Sequence, residues 1–208
     1  MFEIIKAGGW VMWPLVGCSI AALAIIGERL WALRPSRVLP RTLLPQVWSW
    51  YRQNLLDATK LRYLRAHSPL GAVLAAGLFN YRHGREVMKE SLEDAGRQVL
   101  HELERHLNML GSIALVTPLM GLLGTVFGIM HVFAGVSTGG MGNPTALAAG
   151  IAEALITTAA GLSIAIPSLL FHRYLIGRVD ELVVGMEDEA LKLVEMLHGE
   201  REDAEGEQ

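Results

Sequence analysis

Few side chains in this sequence can handle a proton away from water, and they lie in two apolar stretches. Residues 145–171 carry Glu153, Thr157 and Thr158 among small and apolar neighbours, and residues 111–135 carry Thr125. A carboxylate inside an apolar span is costly and normally faces a bundle interior or a water-filled path. Hydroxyls donate and accept, so a few of them beside a carboxyl can hold water and relay protons. The plainer alternative is that each threonine bonds a carbonyl of its own helix. Glu153 has no basic partner in any span, which leaves it protonated, hydrated or paired with another chain. At about 1.5 Å per residue from position 145, Glu153 lies roughly 12 Å deep and Thr158 roughly 20 Å. Counted from position 111, Thr125 lies roughly 21 Å deep, level with Thr158, while Thr157 points about 100° away from Thr158 around its helix.

The same stretches carry stripes of small residues. Gly150, Ala154, Thr157, Thr158, Gly161, Ala165 and Ser168 recur at three- and four-residue steps; Gly121, Thr125 and Gly128 share a face, and Gly124 with Gly128 forms a G-x-x-x-G. Small residues at this spacing let helix backbones approach closely, so plain packing accounts for most of the glycines. Pro118 and Pro167 shape the two helices from within.

The elements that must position these residues follow from length. Each stretch exceeds the ~20 residues needed to cross a hydrocarbon core. They form an antiparallel pair of transmembrane helices joined by a glycine-rich turn, residues 136–144, ending Asn143-Pro144. A third apolar run, residues 10–33, is flanked by Trp10, Trp13 and Trp31 as interfacial anchors. With a mean hydropathy of +0.34, these runs make the chain an all-α integral membrane protein. The net charge of -3 says less than charge placement does. Positive charge follows the first run as Arg29, Arg34, Arg37 and Arg41 instead of preceding it, unlike a cleavable signal. The N-terminus, residues 1–9, is therefore expected outside and residues 34–110 in the cytoplasm as a helical domain.

Within that domain Leu43, Leu44, Val47, Trp48, Tyr51 and Leu55 keep helical phase, residues 57–66 read as a short polar helix, and His67-Ser68-Pro69 as a break. From Glu86, apolar positions stay in phase through Met88, Leu92, Val99, Leu103, Leu107 and Leu110, which predicts one helix running straight into the second span. Past the third span the helix is expected to continue through residues 172–198, and the acidic tail, residues 199–208, to be disordered. The lone Cys18 allows no intrachain disulfide and reads as a small buried apolar residue. No nucleic-acid signature, cofactor motif or metal-ligand spacing is present.

The segments PLMGLLGTVFGIMH, residues 118–131, and GIAEALITTAAGLSIAIP, residues 150–167, resemble the two signature spans of the ExbB/TolQ/MotA proton-channel family, most closely ExbB. The order of parts is similar too, so the resemblance covers nearly the whole chain. It implies an inner-membrane complex that uses the proton-motive force, with five copies in a ring around two ExbD-like single-span partners, energising a TonB-like protein for outer-membrane transport. The essential protonatable aspartate of such complexes belongs to the partner, and this chain has no Asp in its spans. By motif position Thr125 and Thr158 match the family's pore-lining threonines and Glu153 its functional glutamate. Pro118 and Pro167 match its prolines, while Thr157 and Ala149 depart from the common pattern. His131 is closer to the TolQ pattern, so a TolQ-like role in the Tol-Pal envelope system stays open.

Two readings from other classes compete. An intramembrane enzyme needs a nucleophile with its base, but Gly161-Leu162-Ser163-Ile164 lacks the second glycine of G-x-S-x-G. His101-Glu102-Leu103-Glu104-Arg105-His106 is one residue too long for H-E-x-x-H, so its histidines do not share a face. A non-conducting scaffold, in which the small-residue stripes only pack helices, is compatible with the residues taken alone.

Overall fold

The computed structural model describes residues 8–139 and 144–206, and among these all regular structure is helical. The helices are α1 Met12–Ala32, α2 Pro35–Val38, α3 Leu43–Arg52, α4 Ala58–His67, α5 Pro69–Phe79, α6 Arg85–Leu103, α7 Leu107–Gly139 and α8 Pro144–Gly206. The chain divides into two compact units, one of residues 8–29 and 106–174, the other of residues 30–105 and 175–206. Three helical stretches are long and apolar enough to cross a membrane: α1, the α7 region and α8. Without water to satisfy peptide groups, helices are the self-sufficient way for such sequences to cross hydrocarbon.

In the first unit Val11, just before α1, and Met12 and Leu15 of α1 form a cluster with Met120 and Phe127 of α7 and with Ile156, Ala160 and Ile164 of α8. Trp10, Trp13 and Trp31 are exposed near the two ends of the apolar run. Large apolar side chains also point outward from α7 and α8, among them Leu115, Leu119, Leu122, Phe133, Leu155 and Leu170. An outward-facing apolar surface of this kind suits a lipid or partner-helix environment.

The second unit is built around α5, which packs on both α4 and α6. Ser68 caps α5, its Oγ accepting from Gly71 N at 3.0 Å, with Pro69 in the first helical turn where a missing N–H costs nothing. Leu70, Leu74 and Leu78 are fully buried together with Leu64 of α4 and Met88 of α6. Burial of each such leucine from water contributes about 1.5–3 kcal/mol. Asp57 caps α4 by accepting from Ala58 N, and Gly84, at φ 104°, makes the left-handed entry into α6. Later residues of α8, Leu175, Val179, Leu182, Met186 and Leu193, complete this core.

The predicted uninterrupted helix from Glu86 into the second span does not form. The chain turns at residues 104–106, with His106 at φ 65°, before α7 begins. Histidine is among the non-glycine residues that tolerate this region best. Its imidazole Nδ1 lies 3.7 Å from Glu28 Oε2 of α1, and Glu28 in turn binds Arg29 at 2.6 Å. This contact between distant segments fixes the turn, which apolar phase alone cannot register. The connection between α7 and α8 also differs from the expected turn over 136–144, because α7 continues to Gly139; residues 140–143 lie outside the described residues, as do 1–7 of the expected outer N-terminus. At the other end α8 extends through Gly206 into the segment expected to be disordered, and residues 207–208 lie outside the described part. Adding good helix formers such as Glu and Ala to an existing helix needs no new nucleus.

Candidate functional site

The α7–α8 pair is closely packed where the small residues meet. A Cβ built on Gly121 would lie 3.1 Å from the Thr158 Cα and 3.1 Å from the Thr157 carbonyl oxygen; one on Gly128 would lie 2.7 Å from the Gly150 oxygen and 3.0 Å from the Ala154 Cβ. At Gly161 it would stand 3.2 Å from the Gly121 Cα, beside the Thr117 carbonyl, and at Gly150 it would overlap Val132. At Gly124 there is room only for hydrogen, since a Cβ would sit 2.5 Å from the Thr157 Cβ. The stripes of small residues thus form one seam, with backbone against backbone.

Hydroxyls accompany this seam, and most serve their own helix. Thr117 Oγ1 donates to the Ile113 oxygen at 2.9 Å and Ser168 Oγ to the Ile164 oxygen at 2.7 Å, each beside a helix proline, Pro118 and Pro167 respectively. Thr125 Oγ1 donates to the Leu122 oxygen at 2.6 Å. Thr157 is 0% exposed and shares its hydrogen between the Glu153 and Ala154 oxygens, at 3.1 and 3.0 Å. Thr158 differs: its Oγ1 crosses the seam to the Gly121 oxygen at 3.2 Å. A hydroxyl that donates this way keeps lone pairs with which to accept. Thr125 and Thr158 are both half-buried and Thr157 is not accessible at all. With Gly121 against Thr158 and Gly128 against Gly150 and Ala154, the antiparallel register puts Thr125 near the level of Ala154, about one helical turn from Thr158.

Glu153 lies further along α8 toward its N-terminal end and does have a basic partner, contrary to the expectation from sequence. His131 Nδ1 of α7 stands 3.8 Å from Glu153 Oε2. The other side of the carboxylate meets Gly9, which takes φ 68° and has no room for a side chain, a Cβ there lying 3.0 Å from the Glu153 Cδ. The pairing leaves a signal in the sequence: His131 and Glu153 are each about nine residues from the loop that joins their helices, which places them at one level of an antiparallel pair. Pro167 is exposed on α8, away from these contacts. Among the described residues no group of three or more His, Cys, Asp or Glu is arranged to hold a metal ion.

Residues 65–188 match the MotA/TolQ/ExbB proton channel family. Over 179 residues the chain is 42% identical to the Tol-Pal system protein TolQ of Haemophilus influenzae, covering 81% of this chain and 78% of that protein. Over 173 residues it is 32% identical to the biopolymer transport protein exbB1 of Vibrio cholerae, covering 77% of this chain and 72% of the relative. The biopolymer transport protein ExbB of Aquifex aeolicus is 34% identical over 114 residues, 55% of this chain and 76% of that one. The matched residues take in α7 and the part of α8 that packs on it, so the glycine seam, its threonines and Glu153 all fall inside the shared region. With three helices fit to cross a membrane, this is a multi-pass membrane protein, and the chain belongs to the MotA/TolQ/ExbB proton channel family.

Proposed function

We propose that the chain is an ExbB-like subunit of an inner-membrane complex that converts the proton-motive force into work on a TonB-like protein. Copies of the chain assemble in a ring, five by family resemblance, whose central pore is lined by α7 and α8 and holds ExbD-like single-span partners. Thr125, Thr158 and Glu153 face the proton pathway; Thr157 belongs to the seam behind it. The observation that carries this reading is the chemistry of the three apolar helices. Their apolar spans, residues 10–33, 111–135 and 145–171, contain hydroxyls with free lone pairs at half-buried positions and Glu153, yet no aspartate. Such a surface accepts hydrogen bonds from a protonated carboxyl or from its water, and it leaves the aspartate implied by the family resemblance to a partner.

The test is co-purification with a candidate single-span partner bearing an intramembrane Asp, followed by copy counting in native-like lipid. A homo-oligomer binding the partner substoichiometrically is expected. A strictly monomeric chain with the partner present overturns the proposal. A TolQ-like role is the second reading, favoured by the 42% identity to a TolQ protein. Complementation separates the two: growth that depends on energised uptake supports the first, and restored envelope resistance to detergent supports the second.

A further inference from the structure

In residues 8–27, 107–139 and 144–171, which hold the apolar body of the first unit, only Cys18, His131 and Glu153 carry titratable side chains. The single base and the single acid stand 3.8 Å apart, though they belong to different helices. Within the single chain their exposures are opposite: the His131 side chain is 70% exposed and that of Glu153 20%. One oxygen of Glu153 is covered by Gly9, and the next residue, Trp10, stacks edge-on against Phe127 at 5.4 Å, one helical turn before His131. Among the described residues packed here, Gly8–Met12 brings no ionisable group, α7 brings only His131 and residues 144–171 of α8 only Glu153. His131 is thus the titratable side chain that the described structure sets beside the carboxyl.

From this geometry we infer that His131 is the proton-exchange group of Glu153, passing protons between solvent and the carboxylate. The proposal rests on the proton-conducting reading of Glu153. A solvent proton adds to the exposed imidazole, and the imidazolium gives its Nδ1 proton to Glu153 Oε2, leaving a neutral imidazole and a carboxylic acid. The reverse transfer returns the imidazolium and the carboxylate, and His131 releases its proton to water. The 3.8 Å separation is longer than a direct hydrogen bond, so a small side-chain rotation or one bridging water completes the link. Histidine suits this role because its two ring nitrogens let it accept a proton on one side and give one up on the other.

Proton flux through the reconstituted chain–partner complex tests the inference. His131→Gln and His131→Ala should conduct about tenfold more slowly or worse and lose the part of the pH profile that reports an imidazole. Imidazole added to the medium should restore flux to His131→Ala. Wild-type flux and an unchanged pH profile in His131→Gln overturn the proposal, as does a slow His131→Ala that imidazole leaves slow. If the wild-type complex conducts no protons, the channel reading fails instead. The pairing is then decided by nuclear magnetic resonance of labelled histidine in the purified chain, where Glu153→Gln should move the ring signals of His131. Unmoved ring signals sink the pair.

Discussion

Thr157 and Thr158 present their hydroxyls to different surroundings, and the difference predicts how each tolerates valine. Thr158→Val keeps the volume and removes only the hydroxyl that reaches Gly121. Cross-helix hydrogen bonds in membranes contribute only about 0.6 kcal/mol on average, so assembly should survive. On the proposed function, proton-driven work should nonetheless fall sharply, because the oxygen proposed to accept from a partner's carboxyl is gone. Thr125→Val should behave alike, since its bond to the Leu122 oxygen is internal to α7. Thr157→Val reports something else. Its side chain is enclosed against Gly124, and a methyl is bulkier than the hydroxyl it replaces. A loss of about 1 kcal/mol in stability is expected there, with work per assembled complex retained. Uptake assays normalised to assembled protein separate the two classes. Normal uptake in Thr158→Val beside failure in Thr157→Val would put the wrong face of α8 in the pore.

Helices pose a different question, that of which contacts a periodic pattern can see. The Gly121, Gly124 and Gly128 face and its counterpart on α8 were legible because steps of three and four residues are the geometry of a helix seam. Ser68 and Pro69 were legible for the same kind of local reason, a cap and a compatible first turn. The turn at residues 104–106 was not, since Leu103, Leu107 and Leu110 stay in phase on both sides of it and are buried alike. What fixes that turn is a contact from His106 to Glu28, far away in sequence. The His131–Glu153 pair is visible only once the two helices are set antiparallel, which brings together residues far apart in sequence. The seam gives the element-scale prediction. Gly124→Ala should force α7 from α8 and cost about 1–3 kcal/mol, read as a lower melting temperature of the assembled protein in lipid. Adding Thr157→Ala empties the space that the new methyl enters and should recover part of the loss, a coupling that independent sites do not show. Gly124→Ala at wild-type stability would mean that the helices are not in contact there.

The whole molecule has a polarity that neither residues nor helices reveal singly. Arg29 through Arg105 and Arg173 through Arg201 include every basic Lys or Arg except Lys6, and residues 107–171 contain neither type. Membrane proteins keep such residues on the cytoplasmic side, so the N-terminus is predicted outside and Ser49 inside. This orientation also gives the proton chemistry its direction. The His131–Glu153 pair lies toward the ends of α7 and α8 nearest their connection, so with the N-terminus outside it would stand on the side from which a proton-motive force drives protons inward. Single cysteines test this in a Cys18→Ala background, chosen because Cys18 is half-buried in α1 and gives a background signal. Ser49→Cys is exposed on α3 and should react with a membrane-impermeant thiol reagent only after cells are opened. Gly140→Cys should react in intact cells. Reaction of Ser49→Cys in intact cells, or protection of Gly140→Cys until lysis, would invert the topology and turn His131 from a site of proton entry into one of exit.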